Sequence, residues 1–75
     1  MPRRYRPREV MRVLTSLGYE LHHYSGSHAN FRQRGRSTVV VPEHRGEVRP
    51  TTFSSILRQM GMTRAEFDEI ADEVL

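Results

Sequence analysis

The sequence predicts an α+β fold in which helices pack on one face of a small antiparallel sheet. Two stretches of helical apolar spacing, beginning at Val10 and at Phe53, flank a central stretch in which apolar and polar residues alternate. Two short turn sequences interrupt this central stretch, Ser25-Gly26-Ser27 and Arg34-Gly35-Arg36. Connections this short join antiparallel strands, so the centre of the chain predicts a three-stranded meander.

The first helix is predicted over residues 6–18. Its apolar residues recur at positions i, i+3, i+4 and i+7, and they are Val10, Val13, Leu14 and Leu17. Pro7 suits the first helical turn, and Gly18 suits the position just after the helix. Arg8 and Arg12 fall on the face opposite the apolar residues.

The first strand is predicted over residues 19–24, just before the Ser25-Gly26-Ser27 turn. Alternation places Tyr19, Leu21 and His23 on one side of this strand and Glu20, His22 and Tyr24 on the other. Tyr19 and His23 lie on the same side as Leu21, so they are expected to pack against the core.

The second strand is predicted over residues 28–33. If Phe31 faces the core, Ala29 faces it too, and the other face carries His28, Asn30 and Arg32. The imidazole of His28 is therefore expected to be exposed beside an arginine. The third strand, residues 37–41, is rich in β-branched side chains and ends at Pro42.

Two further helices are predicted. The first follows Pro50 and Thr51 and ends at Gly61, with helical spacing at Phe53, Ile56, Leu57 and Met60. The second opens with a capping box, Thr63 and Glu66, and its apolar face is Phe67, Ile70, Ala71 and Val74. The predicted order is α-β-β-β-α plus a short acidic C-terminal helix, and the second face of the sheet is left to solvent or RNA.

Length and composition limit the functions that the chain is expected to have. With 75 residues, it is expected to form a single domain, residues 1–75, with little core for a deep enclosed pocket. It has no cysteine, so no disulfide framework or thiolate zinc site is expected, and a cytoplasmic location is the simplest interpretation. No apolar run approaches the roughly 20 residues of a membrane span, so no membrane association is expected.

The charge distribution indicates a polyanionic partner. All twelve basic residues are arginines, which suit bidentate capture of phosphate or carboxylate. Residues 1–58 contain eleven arginines and four acids, a local charge of +7, whereas residues 59–75 contain one arginine and five acids, a local charge of −4. RNA fits the basic part of the chain, and an acidic protein remains an alternative partner.

The four histidines are the candidate chemical groups. No metal site is expected, because His22 and His23 are adjacent on a strand and should point to opposite faces. His28 follows a glycine-containing turn that permits close approach, and an imidazole titrates near neutral pH. RNA cleavage through the 2′-OH needs a base, an acid and cations, and histidine with arginine supplies these without a metal or other cofactor. On the residues alone, a non-catalytic RNA-binding module of the same fold remains the alternative.

Three segments carry a resemblance to a known family. These segments are "GSHANF", the strand ending in "VVVPEH", and "TTFSSILRQMGMTRAEF". Their order and spacing resemble those of the HicA family of toxin mRNA interferases, and the resemblance extends from about Arg8 to Phe67. The resemblance implies a double-stranded-RNA-binding-domain-like fold and endoribonuclease activity on mRNA, as the toxin of a type II toxin-antitoxin system. It also implies that His28 is catalytic and that a HicB-type antitoxin protein neutralises the toxin.

Further site residues are predicted around His28. Gly26 and Ser27 would shape the turn, and His44 is a candidate second proton-transfer group, with an ordinary loop histidine as the alternative. The candidate phosphate-binding residues are Arg32, Arg34 and Arg36 on the hairpin and Arg8 and Arg12 on the first helix.

Overall fold

The structure confirms the predicted order of helices and strands. It is a computed structural model that describes residues 3–75. It contains α1 (Pro7–Ser16), β1 (Glu20–Ser25), β2 (His28–Arg32), β3 (Val39–Pro42), α2 (Pro50–Met60) and α3 (Arg64–Val74). The boundaries predicted for α1 and the strands differ from these by no more than two residues. None of the helices within residues 3–75 is long and apolar enough to cross a membrane.

The helix ends follow local signals in the sequence. Pro7 begins α1, as predicted, because its fixed φ suits the first helical position. Gly61 ends α2 in the left-handed conformation, with a φ of 66°. Thr63 and Glu66 form the predicted capping box, in which each side chain accepts a hydrogen bond from the other residue's backbone N–H.

The sheet is antiparallel, and β2 lies between β1 and β3. One face is buried beneath the helices and is formed by residues of β2 and β3: Ala29, Phe31, Val39 and Val41. His28 and Arg32 lie on the other face and are exposed. The alternation predicted for β2 is therefore confirmed.

Strand β1 departs from the predicted alternation. Tyr19, just before the strand, is buried as expected, but all six residues of β1 are exposed, so the packing predicted for His23 is wrong. The pairing with β2 shifts between Leu21 and His23, and this β-bulge at His22 interrupts the alternation. Strand β1 is also an edge strand, whereas α2 packs against β3 at the other edge. The core-facing side of β1 is left partly open, and Leu21 is 47% exposed.

Helix α3 is part of the core. The ring of Phe67 is completely buried and packs edge-on against the rings of Phe53 and Tyr5, with centroid distances of 5.0 Å. The hydroxyl of Tyr5 donates a hydrogen bond to the carboxylate of Asp68 on α3. Burial, followed by this bond, raises the pKa of Tyr5 to about 12. The acidic helix therefore supplies an aromatic side chain that the core needs.

The outer edge of β3 is covered by a side chain. The N–H of Val40 donates a 2.9 Å hydrogen bond to Oε1 of Gln59 on α2. Native proteins protect sheet edges in such ways, since an unpaired strand invites pairing with another chain.

Candidate active site

His28 lies at the end of a tight hairpin turn. Gly26 and Ser27 connect β1 to β2, and His28 pairs with Ser25 across the turn. Gly26 has a φ of 61°, which suits glycine at the first central position of a type II′ turn. A Cβ atom at Gly26 would have no neighbour within 4 Å, so the space beside the turn is open to a ligand. Because His28 is itself exposed, its imidazole is accessible from this space.

The loop between β3 and α2 lies against this turn. The N–H of Glu43 donates a 2.8 Å hydrogen bond to the carbonyl oxygen of Ser27. In the next residue, His44, the Nδ1 atom lies 2.7 Å from the carbonyl oxygen of Arg45. Since a carbonyl oxygen only accepts, Nδ1 carries the proton, and Nε2 of a neutral His44 is left as an acceptor. The turn of His28 and a second imidazole able to accept a proton are thus at one end of the sheet.

A basic groove occupies the same end of the molecule. It has a volume of about 410 Å³, and its lining includes Arg6, Arg8, Glu43, His44 and Arg45. The N–H of Val48 donates a 2.7 Å hydrogen bond to the carbonyl oxygen of Tyr5, which joins the segment before α1 to the β3–α2 loop. The structure therefore brings the predicted residues Arg8 and His44 together, and it adds two arginines that the sequence did not single out.

These two arginines, Arg6 and Arg45, have no local signal in the sequence. The contact that joins their segments is made by backbone atoms, which no side-chain pattern reveals. One indirect signal exists for Arg45. Because β3 is antiparallel to β2, its last residue, Pro42, pairs with His28, so the residues that follow Pro42 must lie near the turn.

The other predicted arginines lie away from this turn. Arg32 is on the exposed sheet face but four residues along β2 from His28, about 13 Å at the usual rise per residue. Arg34 and Arg36 follow it in the connection between β2 and β3. Arg12 contacts α3, where its Nη2 atom donates a 3.0 Å hydrogen bond to the carbonyl oxygen of Val74 at the end of the helix.

The bulge in β1 brings His22 and His23 together. Their Nδ1 atoms are 3.0 Å apart, and their ring planes cross at 81°. The expectation that these histidines point to opposite faces is therefore wrong, because the bulge breaks the alternation of the strand. Within residues 3–75, no group of three or more His, Asp or Glu side chains is placed to hold a metal ion.

The amino-acid sequence matches a known protein family. The family model described as "HicA toxin of bacterial toxin-antitoxin" matches residues 7–62, most of the chain. The chain belongs to the HicA toxin family. No curated protein matches it. As a HicA family member, it is a toxin of a bacterial toxin-antitoxin system, and its partner is an antitoxin.

The HicA match covers the candidate site but not the whole core. It includes His28 with its turn, and the loop that carries His44 and Arg45. Helix α3 lies beyond the match, and Tyr5 lies before it. Since Tyr5 packs against Phe67 of α3, two segments outside the HicA match close the core together.

Proposed function

We propose that this HicA toxin is a metal-independent endoribonuclease that cleaves mRNA, with His28 as a general acid or base. One observation carries the proposal. The exposed imidazole of His28 follows the turn that the β3–α2 loop contacts. That loop carries His44 and Arg45, which line a groove together with Arg6 and Arg8. A surface site of this kind needs no deep pocket, which suits a chain of 75 residues.

The proposed reaction uses the 2′-OH of RNA as its nucleophile. A base removes the proton of this hydroxyl, and the 2′ oxygen attacks the adjacent phosphorus. The bond from phosphorus to the 5′ oxygen breaks, and an acid protonates the departing oxygen. Guanidinium groups stabilise the negative charge that develops on the phosphoryl oxygens. DNA lacks the 2′-OH and is not a substrate for this reaction.

The two histidines supply the two proton transfers. Neutral His44 presents Nε2 as an acceptor, because its Nδ1 proton is held by the carbonyl oxygen of Arg45. This geometry suits His44 as the second proton-transfer group beside His28. An imidazole can accept a proton on one nitrogen and donate one from the other, so His28 serves either as the base or as the acid.

The arginines fall into two sets in this proposal. Arg6, Arg8 and Arg45 line the groove at the end of the molecule that carries the turn, and they would bind the phosphates nearest the cleaved bond. Arg32, Arg34 and Arg36 begin about 13 Å away, roughly four nucleotides at about 3.4 Å per nucleotide of a stacked strand. This second set would hold more distant parts of the RNA. Arg12 contributes chiefly by binding the end of α3.

The antitoxin of this HicA toxin is proposed to be of the HicB type and to cover the His28 end. An acidic surface placed over the basic groove would neutralise the arginines and block the substrate together. Inhibition would then be steric.

The experiment that tests the proposed function is cleavage of single-stranded RNA by the purified toxin in the presence of EDTA. The expected result is cleavage of RNA at an undiminished rate, with DNA of the same sequence left intact. Cleavage that stops when the chelator is added, or that extends to DNA, contradicts the proposal.

A further inference from the structure

Tyr24 is an exposed aromatic side chain next to the turn that carries His28. Within residues 3–75, three large apolar side chains are substantially exposed: Leu21, Tyr24 and Leu75. The tyrosine is 48% exposed and lies in β1, one residue before Ser25, which pairs with His28. Of the tyrosine and phenylalanine rings in residues 3–75, Tyr24 is therefore the exposed one, and it lies beside the candidate site.

The position of Tyr24 is set by the pairing of the three strands. Tyr24 pairs with Ala29, and Ala29 pairs with Val41, so Tyr24 and Glu43 lie on the same face at the end of the sheet. The carboxylate of Glu43 raises the pKa of the Tyr24 hydroxyl. The 48% exposure of Tyr24 leaves part of its ring open to a ligand on this side of the hairpin.

The surroundings of Tyr24 favour an anionic ligand. Glu43 also lines the basic groove that contains Arg6, Arg8 and Arg45. Aromatic rings next to arginines are the combination that single-stranded nucleic acids use, because bases stack on the rings while phosphates contact the guanidinium groups. An acidic peptide would engage the arginines but would have no group matched to the ring.

We propose that the exposed face of Tyr24 binds one nucleobase of the RNA by stacking. Tyr24 and His28 lie on opposite faces of the hairpin, separated by the two-residue turn. An RNA strand that crosses this turn passes both side chains, and the open space beside Gly26 permits the crossing. The inference rests on the proposed ribonuclease function, and it assigns the nucleotide next to the cleaved bond to Tyr24.

Binding of 2′-O-methylated RNA tests this inference separately from catalysis. Such RNA lacks the nucleophilic hydroxyl, so the active toxin binds it without cleaving it, whatever His28 does. Two labelled probes are used, 2′-O-methylated oligoadenylate and 2′-O-methylated oligouridylate. Fluorescence anisotropy measures their affinity for the parent chain and for the variants Tyr24→Leu, Tyr24→Phe and Leu21→Ala. The last variant is the matched control, because Leu21 is equally exposed on the same strand.

The expected result is a weakening of about 5- to 150-fold for Tyr24→Leu, the range of one base stacked on an aromatic ring. Tyr24→Phe keeps the ring and should bind within about twofold of the parent, as should Leu21→Ala, since neither removes the stack. A base-free oligomer of abasic sugar phosphates should bind the parent and Tyr24→Leu equally.

Three results overturn the inference. Binding of RNA by Tyr24→Leu as tightly as by the parent overturns it. A loss of affinity in Tyr24→Phe as large as that in Tyr24→Leu also overturns it, because the hydroxyl rather than the ring is then responsible. A parent chain that binds neither RNA also overturns it. Failure of the His28 mechanism is detected in a different experiment, the cleavage assay, as unchanged cleavage by a His28 variant.

Discussion

The backbone N–H of Glu43 donates a 2.8 Å hydrogen bond to the carbonyl oxygen of Ser27. This bond holds the β3–α2 loop, which carries His44, against the hairpin turn that precedes His28. Because backbone atoms make the bond, substitutions of the histidine side chains leave it in place. Variants of either histidine therefore report on chemistry with little disturbance of the site.

RNA binding should weaken as salt concentration rises, because each arginine–phosphate contact releases counterions. For single strands, the logarithm of the affinity falls by about 0.7 per neutralised phosphate for each logarithmic unit of salt. Arg45→Gln should reduce the steepness of this dependence by about 0.7, the contribution of one phosphate contact. Arg58→Gln removes the same charge at the far end of α2, away from the turn, and should leave the slope unchanged. Equal slopes for the parent and Arg45→Gln would show that Arg45 does not contact phosphate.

The antitoxin should protect the His28 end of the toxin from hydrogen exchange. We expect slower exchange at residues 26–28 and 43–46 in the purified complex than in the toxin alone. Reversing the charge of Arg8 and Arg45 to Glu should weaken the complex, whereas Glu69→Arg on the exposed side of α3 should not. Protection confined to α3 would contradict direct occlusion of the site.

Removal of the Phe67 ring should severely destabilise the fold, although α3 lies outside the HicA match. The ring is fully buried against two other aromatic rings, and Phe→Ala changes at such sites cost about 3–5 kcal/mol. Chemical unfolding measures the loss. Glu69→Ala, on the exposed side of the same helix, should change stability by less than about 0.5 kcal/mol. Similar stabilities for the two variants would mean that α3 is not part of the cooperative core.

Alkaline pH should destabilise the toxin through Tyr5. Burial raises the pKa of Tyr5 to about 12, above its ordinary value, so the folded state favours the neutral hydroxyl. This contribution is fully present below the ordinary tyrosine pKa of about 10. It is lost as pH rises from there through the folded-state pKa, at about 1.4 kcal/mol per unit of pKa difference. Urea unfolding at several pH values should show this decline in the parent and a flatter profile in Tyr5→Phe.

Most of the fold was predictable because its signals are local. The apolar spacing of α1, the capping box of Thr63 and Glu66, and the glycine after α2 each depend on neighbouring residues alone. The exposure of His28 was predictable for the same reason, since Ala29 and Phe31 fix the buried face of β2.

The rest depends on tertiary contacts that leave no local pattern. The bulge at His22 is set by pairing with β2, and it overrides the alternation that predicted packing for His23. The grouping of Arg6 with Arg45 depends on a backbone hydrogen bond between Tyr5 and Val48. The burial of α3 depends on the ring of Tyr5, which lies before the first predicted helix.

The most direct measurement is RNA cleavage by His28→Ala in the presence of a chelator, with His22→Ala as the matched control and thermal melts of both. Both histidines are exposed, so each variant should keep its stability within about 1 kcal/mol of the parent. We predict that His28→Ala loses at least the roughly 10²- to 10⁴-fold that one general acid or base contributes, while His22→Ala cleaves nearly as fast as the parent. Undiminished cleavage by a folded His28→Ala protein would contradict the proposed mechanism.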